Sequence, residues 1–356
     1  MRRNDDFVAD GIFRLGIVGA SSLAGKELAD ELGDSMFATS SVVLLDDEDV
    51  TGQIAAAGDE ISFIQRLDAD SFNRMDFAFF AGSAEVTKAQ FGSARKAGAS
   101  IIDLTYALDG QSSVLVQAPW IEEALAASGS GPKSPDLNTP AVVPAHPAAV
   151  MLALVAARLQ SLSLTHLAAT VMEPASEYGR LAMDELHQQT VKLLSFQPLP
   201  KDLYDTQVSF NLTPALGDAA KINFARTEQR IAHHYTVITA GRLPELALQL
   251  IHAPVFHGYT ASVLIELGRP ATVAEVEAAL AGTHIDLVSE DSDPPSNLSA
   301  AGQENILVRV TSAKDDPGPA DRFWLWLASD NLKLAAANAV ACALDLRRLR
   351  PRGKIQ

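Results

Sequence analysis

The apolar positions of the chain fall into short blocks separated by turn residues, and their spacing changes character near residue 147. In the opening block Leu15, Ile17 and Val18 predict a strand. A glycine-punctuated turn follows, from Gly19 through Ser21 and Ser22 to Gly25, and a helix from Lys26 carries Leu28 and Leu32 at helical spacing. Buried strands are predicted at Ser41–Leu45, Met75–Ala81 and Ser100–Leu104, with a helix over Glu85–Lys96 that Gly98 ends. Shorter strands at Val114–Gln117 and Ala141–Val143 flank a Gly/Ser/Pro-rich loop at Ser128–Pro135. Alternation of strand and helix predicts an α/β fold, a Rossmann-type doubly wound parallel sheet.

Beyond Pro147 strands outnumber helices. Helices are expected at Ala148–Leu159, Gly179–Leu194, Val273–Ala281 and Asn331–Arg348. Strands are expected at Leu164–Met172, Gln207–Leu212, His234–Ile238, Ser262–Leu267 and Phe323–Ala328. Loops are expected at Asp291–Gln303 and Lys314–Arg322. This pattern predicts a second, α+β domain with a mixed or antiparallel sheet. The resulting boundaries are 14–145 for the first domain, completed by the C-terminal helix 331–349, and 146–330 for the second.

A net charge of −16 excludes the basic surface that nucleic acid or an anionic membrane requires, and no apolar run reaches the ~20 residues that span a bilayer. The lead MRRNDDFVADGIFR has no apolar core and is expected to be disordered. A single cysteine, Cys342, leaves no internal disulfide and fits a cytoplasmic protein; within its Ala-rich helix it is expected to be a buried structural thiol.

The Gly turn is where backbone amides and a helix N-terminus would meet a pyrophosphate. Gly19, Ser21, Ser22, Leu23, Gly25 and Gly82 are its candidate cofactor residues, with Asp46 as the candidate at the adenosine ribose. The acidic run Asp46, Asp47, Glu48 and Asp49 opposes a 2′-phosphate, so NAD is favoured over NADP for any dinucleotide that binds.

Four segments together carry a family resemblance: GASSLAG at 19–25, SEYGRLAMDELHQQT at 176–190, APVFHGYTASVLIEL at 253–267 and WLASDNLKLAAANAV at 326–340. In order and spacing they resemble aspartate-semialdehyde dehydrogenase from about residue 14 to 348. The resemblance implies a Rossmann domain with a dimerisation domain, an NADP cofactor and a cysteine nucleophile; it also adds Asn338 as a cofactor residue. The implied thiolate attacks the aldehyde, hydride leaves, and phosphate cleaves the thioester.

The family's N-P-N-C-S-T falls on Ala145 to Val150, so Ala148 stands at the nucleophile position. The substrate-binding Arg and the general-base His fall on His252 and Tyr259, and the orienting Gln falls on Glu173. Glu177 and Tyr178 fill a small-residue loop between Ser176 and Gly179, and the phosphate-binding Arg falls on Asp109. No catalytic residue of the family is therefore kept. In this the chain resembles the family's cysteine-less, Usg-type branch.

No metal site is expected. His233 and His234 would point to opposite faces of a strand, and His252 and His257 lack a metal spacing. His146 adjoins the nucleophile position, and Glu173 with Tyr259 could form a new acid–base or structural pair. Three functions stay open: a non-catalytic dimeric interaction protein whose partner the sequence does not name, an NAD(P)-dependent oxidoreductase of altered chemistry in amino-acid biosynthesis, and a nucleotide- or metabolite-sensing module. A homodimer is expected, because a half-covered sheet would leave Leu164, Leu167, Val171 and Val263 unburied in a monomer.

Overall fold

The computed structural model describes residues 13–57, 60–126, 134–314 and 318–349. The expected disordered lead up to residue 12, residues 128–133 of the Gly/Ser/Pro loop and residues 315–317 lie outside them. Two compact units are present. The first takes residues 13–117, 134–144 and 339–349, and the second takes 118–126 and 145–338.

The first unit contains β1 (Arg14–Val18), α1 (Leu23–Gly33), β2 (Ser41–Asp46), β3 (Ile54–Ala57), β4 (Glu60–Phe63) and β5 (Gln65–Arg66). Then come β6 (Phe77–Phe80), α2 (Ala84–Lys96), β7 (Ser100–Asp103), β8 (Leu115–Gln117) and β9 (Val142–Pro144). Its main sheet is seven-stranded, in the order β5-β2-β1-β6-β7-β9-β8, with parallel pairings throughout; β3 and β4 form a separate antiparallel hairpin. The doubly wound sheet is thus as the alternation predicts. Near-continuous burial of β1 and β6 reflects a sheet covered on both faces.

α1 begins at Leu23, one turn before the expected Lys26. The Ser22 hydroxyl accepts from the Gly25 amide at 2.9 Å and donates to Ala81 O at 2.8 Å, which caps the helix and ties it to β6. Two other positions fix the turn. Gly19 has φ +84°, and a Cβ there would sit 2.2 Å from Gly82 Cα; one on Gly25 would sit 2.3 Å from Gly19 O.

The second unit contains α3 (Pro119–Leu125), α4 (Pro147–Leu159), β10 (Leu164–Glu173), α5 (Arg180–Leu194), α6 (Phe224–Thr239) and β11 (Leu246–His252). It continues with β12 (Tyr259–Ala271), α7 (Val273–Leu280), β13 (Ile285–Leu287), α8 (Asn297–Ala300), β14 (Ile306–Ser312), β15 (Ala320–Ser329) and α9 (Asn331–Leu349), whose second half belongs to the first unit. The sheet is mixed, in the order β11-β10-β12-β15-β14-β13: β10/β11 and β13/β14 are parallel and the rest antiparallel. α4 lies against β10 and is packed by α3, α6 and α7. Twelve of its thirteen residues are buried, as an apolar Ala/Leu sequence without a polar face requires.

Several expectations need correction. His234–Ile238 is helical, part of α6. Its β-branched residues suggest a strand, but Ile231, His234, Tyr235 and Ile238 recur at helical spacing and are buried together. His233 and His234 are therefore successive helical positions, not opposite faces of a strand. Gln207–Leu212 is not a strand either. Its backbone is held by the Gln189 side chain, which accepts from Val208 N at 2.8 Å and donates to Thr206 O at 2.9 Å. A short helix, α8, interrupts the Asp291–Gln303 loop, and β15 starts at Ala320 inside the expected Lys314–Arg322 loop.

The face expected to lie open is also reversed. Leu164, Leu167, Val171 and Val263 are buried within the single chain. The alternate positions, Ala168, Thr170, Ser262, Leu264 and Trp324, line a groove of about 360 Å³ on the opposite face. One-residue alternation on a strand decides which set is covered.

The Gly19–Gly82 contact generates a prediction. Gly82→Ala should destabilise the chain by roughly 1–3 kcal/mol, because its Cβ would sit 2.9 Å from Gly19 Cα, and backbone cannot swing aside. Gly92→Ala in α2, whose Cβ would meet no described atom within 4 Å beyond its own stretch of helix, should be neutral or stabilising by about 0.5–1 kcal/mol. Urea unfolding of both variants checks the contrast.

Candidate functional site

In the first unit the Gly turn lies between β1 and α1 and is fixed by backbone and carboxylate contacts. Gly19 N and Ala20 N donate to Leu45 O at 2.9 and 3.2 Å, holding the turn against β2. The Asp46 carboxylate closes it, accepting from Ser21 N at 2.7 Å and from Asp47 N at 2.9 Å. Leu23 opens α1, so the positive end of the helix dipole faces the turn. Gly19 and Gly82 pack backbone to backbone, too close for a Cβ on either, so no side chain from these two positions covers the turn. These residues fit a dinucleotide. Asp109 lies after β7, in a segment organised by the buried Asp103 carboxylate, which accepts from Thr105 N and Leu108 N at 2.9 Å each. Burial raises the Asp103 carboxyl above its ordinary range, although those donors oppose it.

In the second unit the polar groups gather at the start of α4. The helix is apolar on every side, so its first amides need acceptors from elsewhere. His146 is the N-cap, and its Nδ1 accepts from the Ala148 amide at 3.3 Å. That bond assigns the ring proton to Nε2, which lies 3.0 Å from Glu177 Oε1. The other oxygen of Glu177 accepts from the Tyr259 hydroxyl at 2.5 Å. His234 Nδ1 accepts from the His146 backbone N–H at 2.9 Å. A continuous chain thus joins Tyr259, Glu177, His146 and the start of α4. Tyr259 pairs with Glu177, not with Glu173 as the sequence suggested.

Two neighbouring backbone features hold this chain in place. Ala175 N and Ser176 N donate to Val255 O and Phe256 O at 2.9 Å each, docking the turn that carries Glu177 on the segment before Tyr259. Asn331 Oδ1 accepts from Ser176 Oγ at 3.1 Å and from Gly258 N at 3.0 Å. Asn338 is buried and donates to Ala145 O at 3.2 Å. Ala148 is fully buried.

Glu173 and His252 stand opposite each other in the parallel register of β10 and β11, both without exposed surface. Among the described residues, neither carboxylate oxygen of Glu173 and neither ring nitrogen of His252 makes a hydrogen bond of good geometry. Their ionisation is set accordingly. Burial, reinforced by the neighbouring Glu177 charge, pushes the Glu173 carboxyl well above its ordinary range, against the pull of the Tyr178 hydroxyl and Arg230. Burial pushes His252 down to about 4, its ring lying 4.8 Å from the Tyr204 ring. For Glu177 burial acts upward, but the adjacent His146 ring and the Tyr259 hydroxyl hold it below the ordinary range. Burial thus favours the neutral forms of Glu173 and His252, while its donors favour the carboxylate form of Glu177.

Cys342 is buried, with its Sγ 3.7 Å from Gln117 O. His257 is half-buried; no group of three metal-binding side chains occurs among the described residues. Nor does any described helix have the length and apolarity to cross a membrane.

The sequence reading missed the roles of Glu177 and Arg230. Glu177 sits in a loop where only the folded chain brings it to both His146 and Tyr259.

A glycine-turn parallel sheet joined to a mixed-sheet domain with a polar cluster at a buried helix start defines a two-domain dehydrogenase fold. The family model for the semialdehyde dehydrogenase NAD binding domain matches residues 14–128, and that for the dimerisation domain matches residues 154–334. The chain belongs to the semialdehyde dehydrogenase family. It is 32% identical over 327 residues to a USG-1 protein homolog of Pseudomonas aeruginosa, covering 91% of this chain and 94% of that one. It is 25% identical to aspartate-semialdehyde dehydrogenase of Rickettsia bellii, covering 94% and 97%. Among solved structures, a probable aspartate-semialdehyde dehydrogenase from Pseudomonas aeruginosa superposes with a TM-score of 0.79 at 30% identity, covering 94% and 98%.

The buried pair makes a pH prediction. His252 has an ordinary value of 6.5 and about 4 when folded, so the unfolded chain binds the extra proton between these values. This residue therefore costs about 2 kcal/mol of stability as pH falls from 7 to 5. Glu173 acts in the opposite sense: its folded form holds a proton above pH 4.5, so its contribution falls as pH rises. Glu173→Gln should steepen the loss of stability on acidification, and His252→Gln should flatten it. Urea unfolding at pH 5, 6 and 7 reads both slopes.

Proposed function

We propose that this chain is a nucleotide-binding homodimer that has lost the phosphorylating dehydrogenation of its family. The observation that carries the reading is Ala148. It occupies the start of α4, where the resemblance places the thiolate, and its methyl group has no nucleophilic atom. The remaining vacated positions, Glu173, Tyr259, His252 and Asp109, agree. Tyr259 is a hydrogen-bond donor to Glu177 rather than a free base, and a phenol has an ordinary pKa of about 10. His252 is neutral down to about pH 4 and offers no cation to a substrate carboxylate. Asp109 reverses the charge of a phosphate ligand. Glu173, whose neutral form burial favours, has the size of the glutamine that the resemblance places there and, when protonated, one donor.

Loss of a covalent nucleophile lowers kcat on the order of 10⁴–10⁶-fold. The purified protein should therefore turn over aspartate semialdehyde with phosphate and either nicotinamide cofactor at no more than background. A rate within about a hundredfold of an active family member would overturn the reading.

For the cofactor, Gly19, Ser21, Ser22, Leu23, Gly25, Gly82 and Asn338 are proposed as contacts, and Asp46 as the ribose ligand. NAD is favoured over NADP, since Asp46 to Asp49 would meet a 2′-phosphate with like charge. The composition supports a cytoplasmic setting. A second reading, an NAD(P)-dependent oxidoreductase acting on an aldehyde in amino-acid biosynthesis by other chemistry, is favoured by the Tyr259–Glu177–His146 chain, which keeps an acid and a base together. Nicotinamide reduction that disappears in Glu177→Gln would decide for it.

The dimer is proposed to form on the open face of the second unit's sheet, around Ala168, Thr170, Ser262, Leu264 and Trp324. A stable interface needs roughly 1,200–2,000 Å² of total burial, and apolar area there contributes ~25 cal/mol per Å². Sedimentation should give twice the chain mass of 37.8 kDa. Leu264→Asp should shift the protein to a folded monomer, whereas Leu167→Asp, on the covered face, should unfold it. A monodisperse monomer of the parent chain at micromolar concentration would contradict the assignment.

A further inference from the structure

Doubly wound sheets take their ligands at the carboxyl ends of the strands. In the first unit two charged residues end neighbouring strands there. Asp46 closes β2 and Arg66 closes β5, directly opposite each other in parallel register, so both side chains leave the same side of the sheet. Leu67 N donates to Asp46 O at 2.9 Å and keeps this register. The Asp46 carboxylate is held by the Gly turn through Ser21 N, with lone pairs left for a ribose hydroxyl. Arg66 is not: its guanidinium Nη1 lies 3.3 Å from Glu48 Oε1, on the turn that follows β2, and the two side chains are 62% and 73% exposed.

A guanidinium beside the ribose acid has the chemistry that receives a phosphate dianion by paired hydrogen bonds. Here an exposed carboxylate competes for it. The other acid near Arg66 is Asp68, whose carboxylate is occupied by the Ser71 hydroxyl and the Asp70 amide, each at 2.9 Å.

We propose that the Glu48–Arg66 pair is a nucleotide selector: Asp46 takes the unphosphorylated ribose of NAD, and Glu48 withholds Arg66 from the 2′-phosphate of NADP. The proposal rests on the nucleotide-binding reading above. It makes the preference for NAD a property of one breakable surface pair as well as of the acidic run. Exposed ion pairs are weak, so removing Glu48's charge should free Arg66 without disturbing the fold.

Calorimetric titration of the full chain with NAD and with NADP tests this. In Glu48→Gln, NADP should bind about three- to tenfold more tightly than to the parent, with NAD changed less than about twofold. Adding Asp46→Asn, which keeps an acceptor for Ser21 N, should bring NADP ahead of NAD. Adding Arg66→Gln to Glu48→Gln should abolish the gain. NAD binding to the parent with no NADP gain in Glu48→Gln would overturn the proposal, as would a gain that persists without Arg66. If NAD does not bind the parent, the nucleotide reading itself fails and the selector with it.

Discussion

The second unit depends on how a fully enclosed helix satisfies its first amides. α4 has no polar face and its first turn is buried, so acceptors have to come from the surrounding protein. His146 supplies one with Nδ1, and that choice sets its tautomer, turns Nε2 toward Glu177 and requires a carboxylate there. Glu177 in turn takes the Tyr259 hydroxyl, which anchors the start of β12. Helix start, loop and strand are thereby joined through one ionised group. A buried carboxylate is costly unless donors surround it, and these two donors meet that requirement.

The positions where the family resemblance expects chemistry have been resolved into neutral or mutually satisfied groups. The base position bonds to Glu177. His252 is an imidazole and Glu173 a carboxyl whose charged forms burial disfavours. The framework around them, from Ser176 and Gly258 to Asn331, is intact. An altered site inside an intact frame accounts for a fold that superposes on family members.

Much of this was readable in the chain itself. The Gly19–Gly25 turn, the buried strands and the Ala/Leu helix announce their structures because burial on both sides writes an unbroken apolar run. The failures have physical causes. HHYTVI has strand-like composition, yet tertiary packing uses its helical spacing. Val208, Phe210 and Leu212 alternate as a strand would, but no partner strand is available and Gln189 holds the backbone instead. Which face of β10 lies open depends on where α4 packs, which alternation alone does not reveal. Glu177 and Arg66 gain their meaning only from neighbours 82 residues away in one case and across a strand register in the other.

The chain of bonds from Tyr259 to His146 also bears on the protein's history. Replacing Tyr259 by a histidine would strip Glu177 of its short hydroxyl bond. A cysteine at 148 would place a thiol beside the His146 ring, whose Nδ1 already accepts from the residue 148 amide. Each change alone disturbs a group that its neighbour depends on. Such a network acts as a ratchet: because the capped helix, the glutamate and the tyrosine hold one another, its members have to change together.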